Sequence, residues 1–248
     1  MPVRITPFRS PPLLFAHRGG RAHAPENSLG AFRMAVELGA TGLESDVWIT
    51  ADGVPVLDHN GRVGRGFRRS PISSHQRVDL PDNIPSLADL FKSVPAVADG
   101  SVHLCLDLKD PEAAAPVVEV VAGWGRCSEL WLAHPDRALL AGWRHLDAQV
   151  HLVDSTRTDN MPDGPERRAV DLAGAGVDAI NLHAAEWSGG LCALFHRFGI
   201  ECLGWDAQQP RQIAALLEQG IDGIFGDHVD RLVSAALQTP GRPRSAPA

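Results

Sequence analysis

Short apolar runs of strand length alternate along this chain with longer stretches in which apolar residues recur at helical spacing. Residues 13–17 predict a first strand, residues 28–38 a helix and residues 42–49 a second strand. Further strands are predicted at residues 54–58, 102–108, 129–133, 149–153, 177–182, 200–205 and 221–225. Further helices are predicted at residues 86–91, 113–122, 137–145, 166–173, 191–198, 211–219 and 229–237. Residues 62–83 are polar, basic and rich in turn formers, which predicts a long loop.

Eight strand–helix units follow from this pattern if the short strand at 54–58 is counted within the second connection. Regular βα alternation of this length favours an α/β fold of the closed (β/α)8 TIM barrel type over an open doubly wound sheet. We therefore predict one barrel domain over residues 1–238. Residues 239–248 contain three prolines and no apolar period, which predicts a disordered tail.

Composition and charge limit the classes of partner and the cellular location that we expect. The formal net charge of −7 argues against nucleic acid or an anionic membrane surface as the partner. No apolar run is long enough to span a bilayer and no signal-peptide core is present, so we expect a cytoplasmic location. The four cysteines show no zinc-binding spacing, which suits reduced, buried thiols. The oligomeric state stays open.

Active sites of such barrels lie at the carboxyl ends of the strands, whatever the chemistry. Glu44 and Asp46 are two residues apart on the second strand, so their side chains share one face. Asp107 and Lys109 repeat this spacing on the next barrel strand. Carboxylates that meet at a barrel mouth with no Lys or Arg between them repel one another, and a hard divalent cation, magnesium or calcium, would relieve this. A solvated strand end explains an isolated Glu-x-Asp pair equally well.

Two histidines also fall at strand ends. Imidazole titrates near neutrality, so His17 and His59 are candidates for acid–base catalysis. Arg18 and Lys109 could contact the oxygens of an anionic substrate group such as phosphate. The alternatives are histidines with a structural role and salt bridges from the two basic side chains to nearby carboxylates.

These residues stand in motifs of a known family. The run FAHRGGRAHAPENSLGAF followed by GATGLESDVWITADGVPVLDH closely resembles the glycerophosphodiester phosphodiesterases. IPSLADLF, LCLDLK and GIDGIFGD are further matches, so the similarity extends over nearly the whole chain and is densest before residue 110. The motifs are weak one by one, but their order and spacing make the combination specific.

The resemblance implies a TIM barrel that hydrolyses a small-molecule glycerophosphodiester to glycerol 3-phosphate and an alcohol, with a divalent cation. It also implies roles for individual residues. Those roles are acid–base catalysis for His17 and His59, metal binding for Glu44, Asp46 and Asp107, substrate or phosphate contacts for Arg18, Lys109 and Trp205, and a place near the site for Glu26.

Three departures from the family pattern stand out. Asn60 follows His59 where the family has Asp, Asp107 replaces Glu, and Asp206 follows Trp205 where Thr is usual. Two alternatives therefore stay open, a lysophospholipase D-like enzyme on the same barrel and a catalytically impaired phosphodiester-binding homologue. A zinc amidohydrolase lacks support, since no His-x-His follows the first strand. The alcohol group, the choice of metal and the direction of proton transfer are not determined.

Overall fold

The computed structural model describes residues 5–64, 66 and 69–238. The strands are β1 Leu13–Ala16, β2 Gly42–Ile49, β3 Pro55–Leu57, β4 Arg62–Val63, β5 Ser70–Pro71, β6 His103–Leu108, β7 Leu130–His134, β8 His151–Ser155, β9 Ala179–His183, β10 Glu201–Trp205 and β11 Gly223–Gly226. The helices are α1 Leu29–Glu37, α2 Leu87–Ser93, α3 Pro95–Ala98, α4 Ala114–Gly123, α5 Arg137–Trp143, α6 Gly164–Gly174, α7 Gly189–Arg197, α8 Pro210–Gln219 and α9 Val229–Gln238. The tail predicted at residues 239–248 lies outside the described residues.

The strands close into a parallel barrel, which confirms the predicted fold. β1 pairs with β2 on one side and with β11 on the other, and the ring runs through β6, β7, β8, β9 and β10. β3 lies outside the ring, where it pairs antiparallel with β2. Because all barrel strands are parallel, their carboxyl ends meet at one mouth.

Alternate side chains of the strands fill the interior of the barrel. Phe15 and Phe225 stack there with ring centroids 4.4 Å apart, and Trp131 meets Phe15 edge-on. Gly42 permits this filling, because a Cβ at that position would overlap the ring of Phe15. Aromatic rings thus fill the interior of the barrel below its mouth.

The outer core lies between the strands and the helices. In α1, Phe32 and Ala35 are buried while the opposite face is exposed, as helical spacing predicts. Ser28 caps this helix, because its hydroxyl oxygen accepts a hydrogen bond of 3.1 Å from the amide of Ala31. The cap fixes where the β1–α1 loop ends, and that loop carries part of the site described below.

The prediction of one long loop at residues 62–83 is wrong in part. β4 and β5 pair as a small antiparallel sheet, and two short 3-10 turns follow at Ile72–Ser74 and Arg77–Asp79. Ile72 is fully buried in a small cluster with Val56. The segment therefore packs over β3, although its apolar residues follow no regular period. The helix α3 was also not predicted.

No helix in the described part of the chain is both long and apolar enough to cross a membrane. The cytoplasmic location stays a prediction.

Candidate active site

A cavity of about 420 Å³ opens at the carboxyl ends of the barrel strands. It brings together all but one of the residues predicted for the site. The residue outside its lining is His59, which contacts the cavity through Asp46. The cavity is lined by His17, Arg18, Arg21, Glu44, Asp46, Cys105, Asp107, Lys109, Ala133, Ser155, Asn181, Trp205, Asp206 and Phe225.

His17 stands in a tight turn rather than in β1, which ends at Ala16. The turn continues through Arg18, Gly19 and Gly20, which have φ values of 50°, 79° and 77°. The left-handed region accommodates glycine without strain. A Cβ on Gly19 would also lie 2.9 Å from the Cβ of Ala31. Glycine at this position therefore lets α1 pack closely behind the turn that presents His17 to the cavity.

The imidazole of His17 is held by a carboxylate that the sequence analysis did not assign to the site. His17 Nδ1 lies 2.6 Å from Asp227 Oδ1, and Arg21 Nε lies 2.9 Å from the other oxygen of Asp227. With the proton on Nδ1 shared with this carboxylate, His17 Nε2 faces the cavity, 3.8 Å from Glu44 Oε2. A usable signal existed, since Asp227 ends the GIDGIFGD motif at the carboxyl end of the last strand.

Opposing influences set the pKa of His17. Burial by itself lowers the pKa, but the charge of Glu44 and the hydrogen bond with Asp227 outweigh it and raise the pKa above its usual value. The pKa of Asp227 moves the other way. Burial raises it, but the contacts from His17 and Arg21 prevail and lower it. The pair thus favours an imidazole near its protonated form beside an ionised carboxylate.

The predicted metal ligands lie on neighbouring strands. Asp46 stands directly opposite Asp107 in the pairing of β2 with β6, and Glu44 stands two residues earlier on the same face. Burial, followed by repulsion from Asp46 and Asp107, raises the pKa of Glu44 to about 7 against the opposing effect of His17. Glu44 Oε2 also accepts a hydrogen bond of 2.8 Å from the backbone amide of Arg18.

The prediction that no basic side chain separates these carboxylates is wrong. Lys109 Nζ lies 3.2 Å from Asp46 Oδ1 and 2.5 Å from Asp107 Oδ2, and Arg18 Nε lies 3.3 Å from Asp46 Oδ2. The reason is the pairing of β6 with β2, which continues past the end of β6 because the amide of Lys109 donates to the carbonyl of Val47. Burial opposes protonation of Lys109, yet Asp107 and Asp46 raise its pKa overall.

The donor set still fits a divalent cation by its chemistry. Among the described residues, the salt-bridge partner of Glu44 is the imidazole of His17, at 3.8 Å, and no Lys or Arg side chain lies within that distance. The oxygens of Glu44, with those of Asp46 and Asp107, are the hard donors that magnesium and calcium prefer. The three carboxylates do not bring one oxygen each within 4.8 Å of the others, so they do not form a ready-made coordination shell.

His59 follows β3 and is oriented by Asp46, whose Oδ2 lies 3.0 Å from His59 Nδ1. The side chain of Asn60 is exposed. Burial raises the pKa of the neighbouring Asp58, against the opposing effect of hydrogen bonds from the backbone amides of Gly61 and Asn60. The acid that orients His59 therefore comes from β2 and not from position 60. The departure at Asn60 leaves this contact intact.

The opposite side of the mouth carries aromatic and polar groups. The guanidinium carbon of Arg157 lies 5.6 Å from the ring centroid of Trp205, and His183 meets the same ring edge-on. Asp206 has a φ of 62° and lies 3.2 Å from His183 Nε2 through its Oδ2. Asn181 lies on β9, and its buried Oδ1 makes no hydrogen bond in the described structure. The sequence analysis did not anticipate Asn181 or Arg21.

Glu26 was expected near the site only through the resemblance. Its Oε2 accepts a hydrogen bond of 3.1 Å from Arg18 Nη1. Glu26 therefore positions Arg18 rather than facing the cavity itself.

Comparisons with known proteins point to one family. The Glycerophosphoryl diester phosphodiesterase family matches residues 17–101. The chain is 49% identical over 250 residues to the glycerophosphodiester phosphodiesterase of Caldanaerobacter subterraneus subsp. tengcongensis, an alignment that covers 90% of this chain and 96% of the relative. It is 58% identical over 91 residues to glycerophosphodiester phosphodiesterase 1 of Mus musculus, an alignment that covers 30% of this chain and 28% of the mouse protein.

Solved structures share the fold. The glycerophosphodiester phosphodiesterase of Thermotoga maritima superposes with a TM-score of 0.77 at 23% identity, with 90% of this chain and 97% of that chain covered. A phosphodiesterase of Oleispira antarctica in complex with the product sn-glycerol-3-phosphate superposes with a TM-score of 0.77 at 21% identity, with 90% and 96% covered.

Proposed function

This chain belongs to the glycerophosphodiester phosphodiesterase family, and from that premise we propose that His17 and His59 carry out acid–base catalysis beside a divalent cation. The chain is a phosphoric diester hydrolase. The observation that carries the proposal is the contact of 2.6 Å between His17 Nδ1 and Asp227, which leaves Nε2 facing the cavity. Phosphodiester cleavage needs one group to take a proton from the attacking oxygen and another to protonate the departing alkoxide.

The two histidines are oriented by different carboxylates. His17 is fixed by Asp227 and borders Glu44, whereas His59 is fixed by Asp46. Each imidazole therefore has one nitrogen committed to a carboxylate and one available for proton transfer. Such an arrangement suits a reaction in which proton removal and proton donation take place at different oxygens of the same phosphorus.

Glu44, Asp46 and Asp107 would hold magnesium or calcium. When bound, the cation would supply Lewis-acid stabilisation of the charge on the phosphoryl oxygens. Lys109 and Arg18 add fixed positive charge at the same place, and both are partly or largely buried beside Asp46. Because these side chains are partly buried, their charge attracts a phosphodiester more strongly than it would at the surface.

The substrate proposed is a glycerophosphodiester, and the product-bound Oleispira relative supports this class. The glycerol phosphate would lie over the carboxylates, and the alcohol group would extend towards Trp205. Choline release from glycerophosphocholine should exceed that from lysophosphatidylcholine. The reverse order would favour the lysophospholipase D-like alternative.

One variant with a matched control tests the catalytic role of His17. We expect His17→Ala to lower kcat about 10²- to 10⁴-fold, the usual contribution of a positioned acid–base group, while the exposed His145→Ala stays near wild type. The measurement is glycerol 3-phosphate release from glycerophosphodiesters. Turnover that persists in His17→Ala would refute the assignment.

Metal dependence is tested separately. We expect EDTA to abolish activity, excess magnesium or calcium to restore it, and Glu44→Gln to need more metal for half-maximal rate, because it loses an ionised ligand. Glu37→Gln is the matched control, since Glu37 is exposed on α1. Full activity after EDTA treatment, or equal metal requirements in both variants, would contradict the proposal.

A further inference from the structure

Two histidines and an aspartate meet at the rim of the barrel, outside the cavity of the proposed active site. His23 lies in the loop between β1 and α1, His228 immediately precedes α9, and Asp230 is the second residue of that helix. One possible ligand atom from each of the three lies within 4.8 Å of the others. Nothing in the proposed reaction uses these side chains, and none of them lines the cavity.

The geometry within this cluster differs from that of an ordinary hydrogen-bonded pair. His23 Nε2 lies 3.0 Å from Asp230 Oδ1, yet this buried nitrogen makes no hydrogen bond in the described structure. The carboxylate is thus at contact distance but off the direction in which the ring nitrogen would donate. Two ligands about 2.0–2.1 Å from one metal ion, at angles of 90–109°, stand about 2.9–3.4 Å apart. The observed spacing falls in that interval.

The cluster is held by ordered backbone on both sides. The amide of Ala22 donates to the carbonyl of Asp227 and the amide of His23 to the carbonyl of Gly20, at 3.4 and 2.9 Å. A Cβ on Gly20 would meet the side chain of Val229 at 2.9 Å, so the two loops approach each other closely. The rings of His23 and His228 lie 6.1 Å apart at 86°. Little reorganisation is therefore needed to bring both imidazoles to one ion.

A second group of similar composition provides a contrast. His196, Cys202 and Asp222 are also close together, but the carboxylate of Asp222 already accepts hydrogen bonds from three backbone amides and from His196 Nε2. An ion there would have to displace these bonds from a buried acid. Within the part of the chain that the structure describes, the side chains of His23, His228 and Asp230 make no such competing hydrogen bonds. The cluster is partly open to solvent, which gives an ion a route of entry.

We infer that His23, His228 and Asp230 form a second metal site, which takes a divalent transition metal of the zinc or cobalt class and clamps the β1–α1 loop to the start of α9. Two imidazoles and one carboxylate suit these ions better than magnesium or calcium, which prefer all-oxygen shells. The clamp joins the two loops that carry His17 and Asp227. The inference does not depend on the proposed function, because no residue of the rim cluster takes part in the reaction.

Titration with Co²⁺ in the presence of excess Mg²⁺ tests this site on the whole chain. Magnesium competes for the carboxylates of the cavity, while Co²⁺ bound through imidazole gives visible d–d absorption. We expect one Co²⁺ per chain, displaced by Zn²⁺. His23→Ala and His228→Ala should lose the absorption. Asp230→Asn should weaken Co²⁺ binding more than about 10-fold, because even the loss of a residue that only contacts a metal ligand costs about 10-fold or more in metal affinity. His145→Ala is the matched control and should bind as wild type does.

Two results would overturn the inference. One is a wild-type chain without Co²⁺ absorption. The other is absorption that survives in His23→Ala and His228→Ala but disappears in Glu44→Gln, which would place the ion among the carboxylates of the cavity. Circular dichroism without metal checks that each variant folds. If either Ala variant fails to fold, Asp230→Asn, which preserves side-chain size, decides the matter by its Co²⁺ affinity.

Discussion

Replacement of Asp227 by Asn isolates the contact that orients His17. The carboxylate of Asp227 lies 2.6 Å from His17 Nδ1 and 2.9 Å from Arg21 Nε, and 13% of the side chain is exposed. Asn keeps nearly the same shape but loses the negative charge. The variant therefore removes the stabilisation of the protonated imidazole while it leaves the packing of the β11–α9 junction in place.

The size of the effect follows from the kind of hydrogen bond. A hydrogen bond to a charged group contributes about 1.5–3 kcal/mol. Since about 1.4 kcal/mol corresponds to a factor of ten in rate, we expect kcat to fall about 10- to 150-fold. KM should change little, because Asp227 does not line the cavity. The carboxylate is one of the groups that raise the pKa of His17, so its loss should move the His17 limb of the pH–rate profile to lower pH.

Steady-state kinetics on glycerophosphocholine, from acid to alkaline pH, measures these quantities. Arg21→Gln is the matched control, since it removes the other partner of Asp227 but leaves the carboxylate on His17. Because Arg21 is 43% exposed, that ion pair should contribute at most about 1 kcal/mol. Asp227→Glu should recover part of the activity. If Asp227→Asn keeps kcat within about threefold of wild type, or if Arg21→Gln loses as much, the positioning role is wrong.

Two further predictions concern stability. Burial, with smaller contributions from Arg9 and His151, lowers the pKa of His103 from 6.5 to about 4. The unfolded chain therefore binds the proton first, and stability is lost as pH falls from about 6.5 towards 4; allowing for solvent screening, the loss should be about 1–2 kcal/mol. Urea unfolding at pH 7 and pH 4.5 measures this loss. Between these two pH values, His103→Gln should lose less free energy of unfolding than the wild type, by about 1–2 kcal/mol. Equal losses in the two proteins would contradict the link between protonation of His103 and stability. Arg168→Met should lower the free energy of unfolding by about 3–5 kcal/mol at pH 7, because it leaves the fully buried Asp154 without its cationic partner. The two carboxylate oxygens of Asp154 lie 2.6 and 2.7 Å from the guanidinium nitrogens of Arg168. A cost below about 1 kcal/mol in the same assay would show that this ion pair does not hold α6 against β8.

The sequence predicted the barrel and the composition of its mouth with good accuracy. Burial imposes a period of two on strands and 3.6 on helices, so the alternation of elements could be read directly, and β2 was predicted at its exact bounds. The structure of residues 62–83 could not be predicted from periodicity. Ile72 and Leu80 are buried in one cluster with Val56 of β3, and their positions along the chain follow neither the period of a strand nor that of a helix.

The predictions for the active site likewise hold for local relations and fail for contacts between distant parts of the chain. Spacing along a strand predicted that Glu44 and Asp46 share a face, because that relation is local. The roles of Lys109 and Asp227 are not local. Lys109 reaches Asp46 only through the pairing of β6 with β2. The acids predicted to lie together without a basic side chain are therefore bridged by the ammonium group of Lys109.

The sequence alone, through strand periodicity and the order of its motifs, identified the acids, histidines and basic residues that were predicted for the site. Their partners were decided by the tertiary structure. His17 and Asp227 are 210 residues apart, and they meet only because β1 and β11 pair to close the barrel. His59 likewise depends on Asp46 of the adjacent strand rather than on its neighbour Asn60. Ring closure brings together side chains whose distance along the chain carries no information about contact.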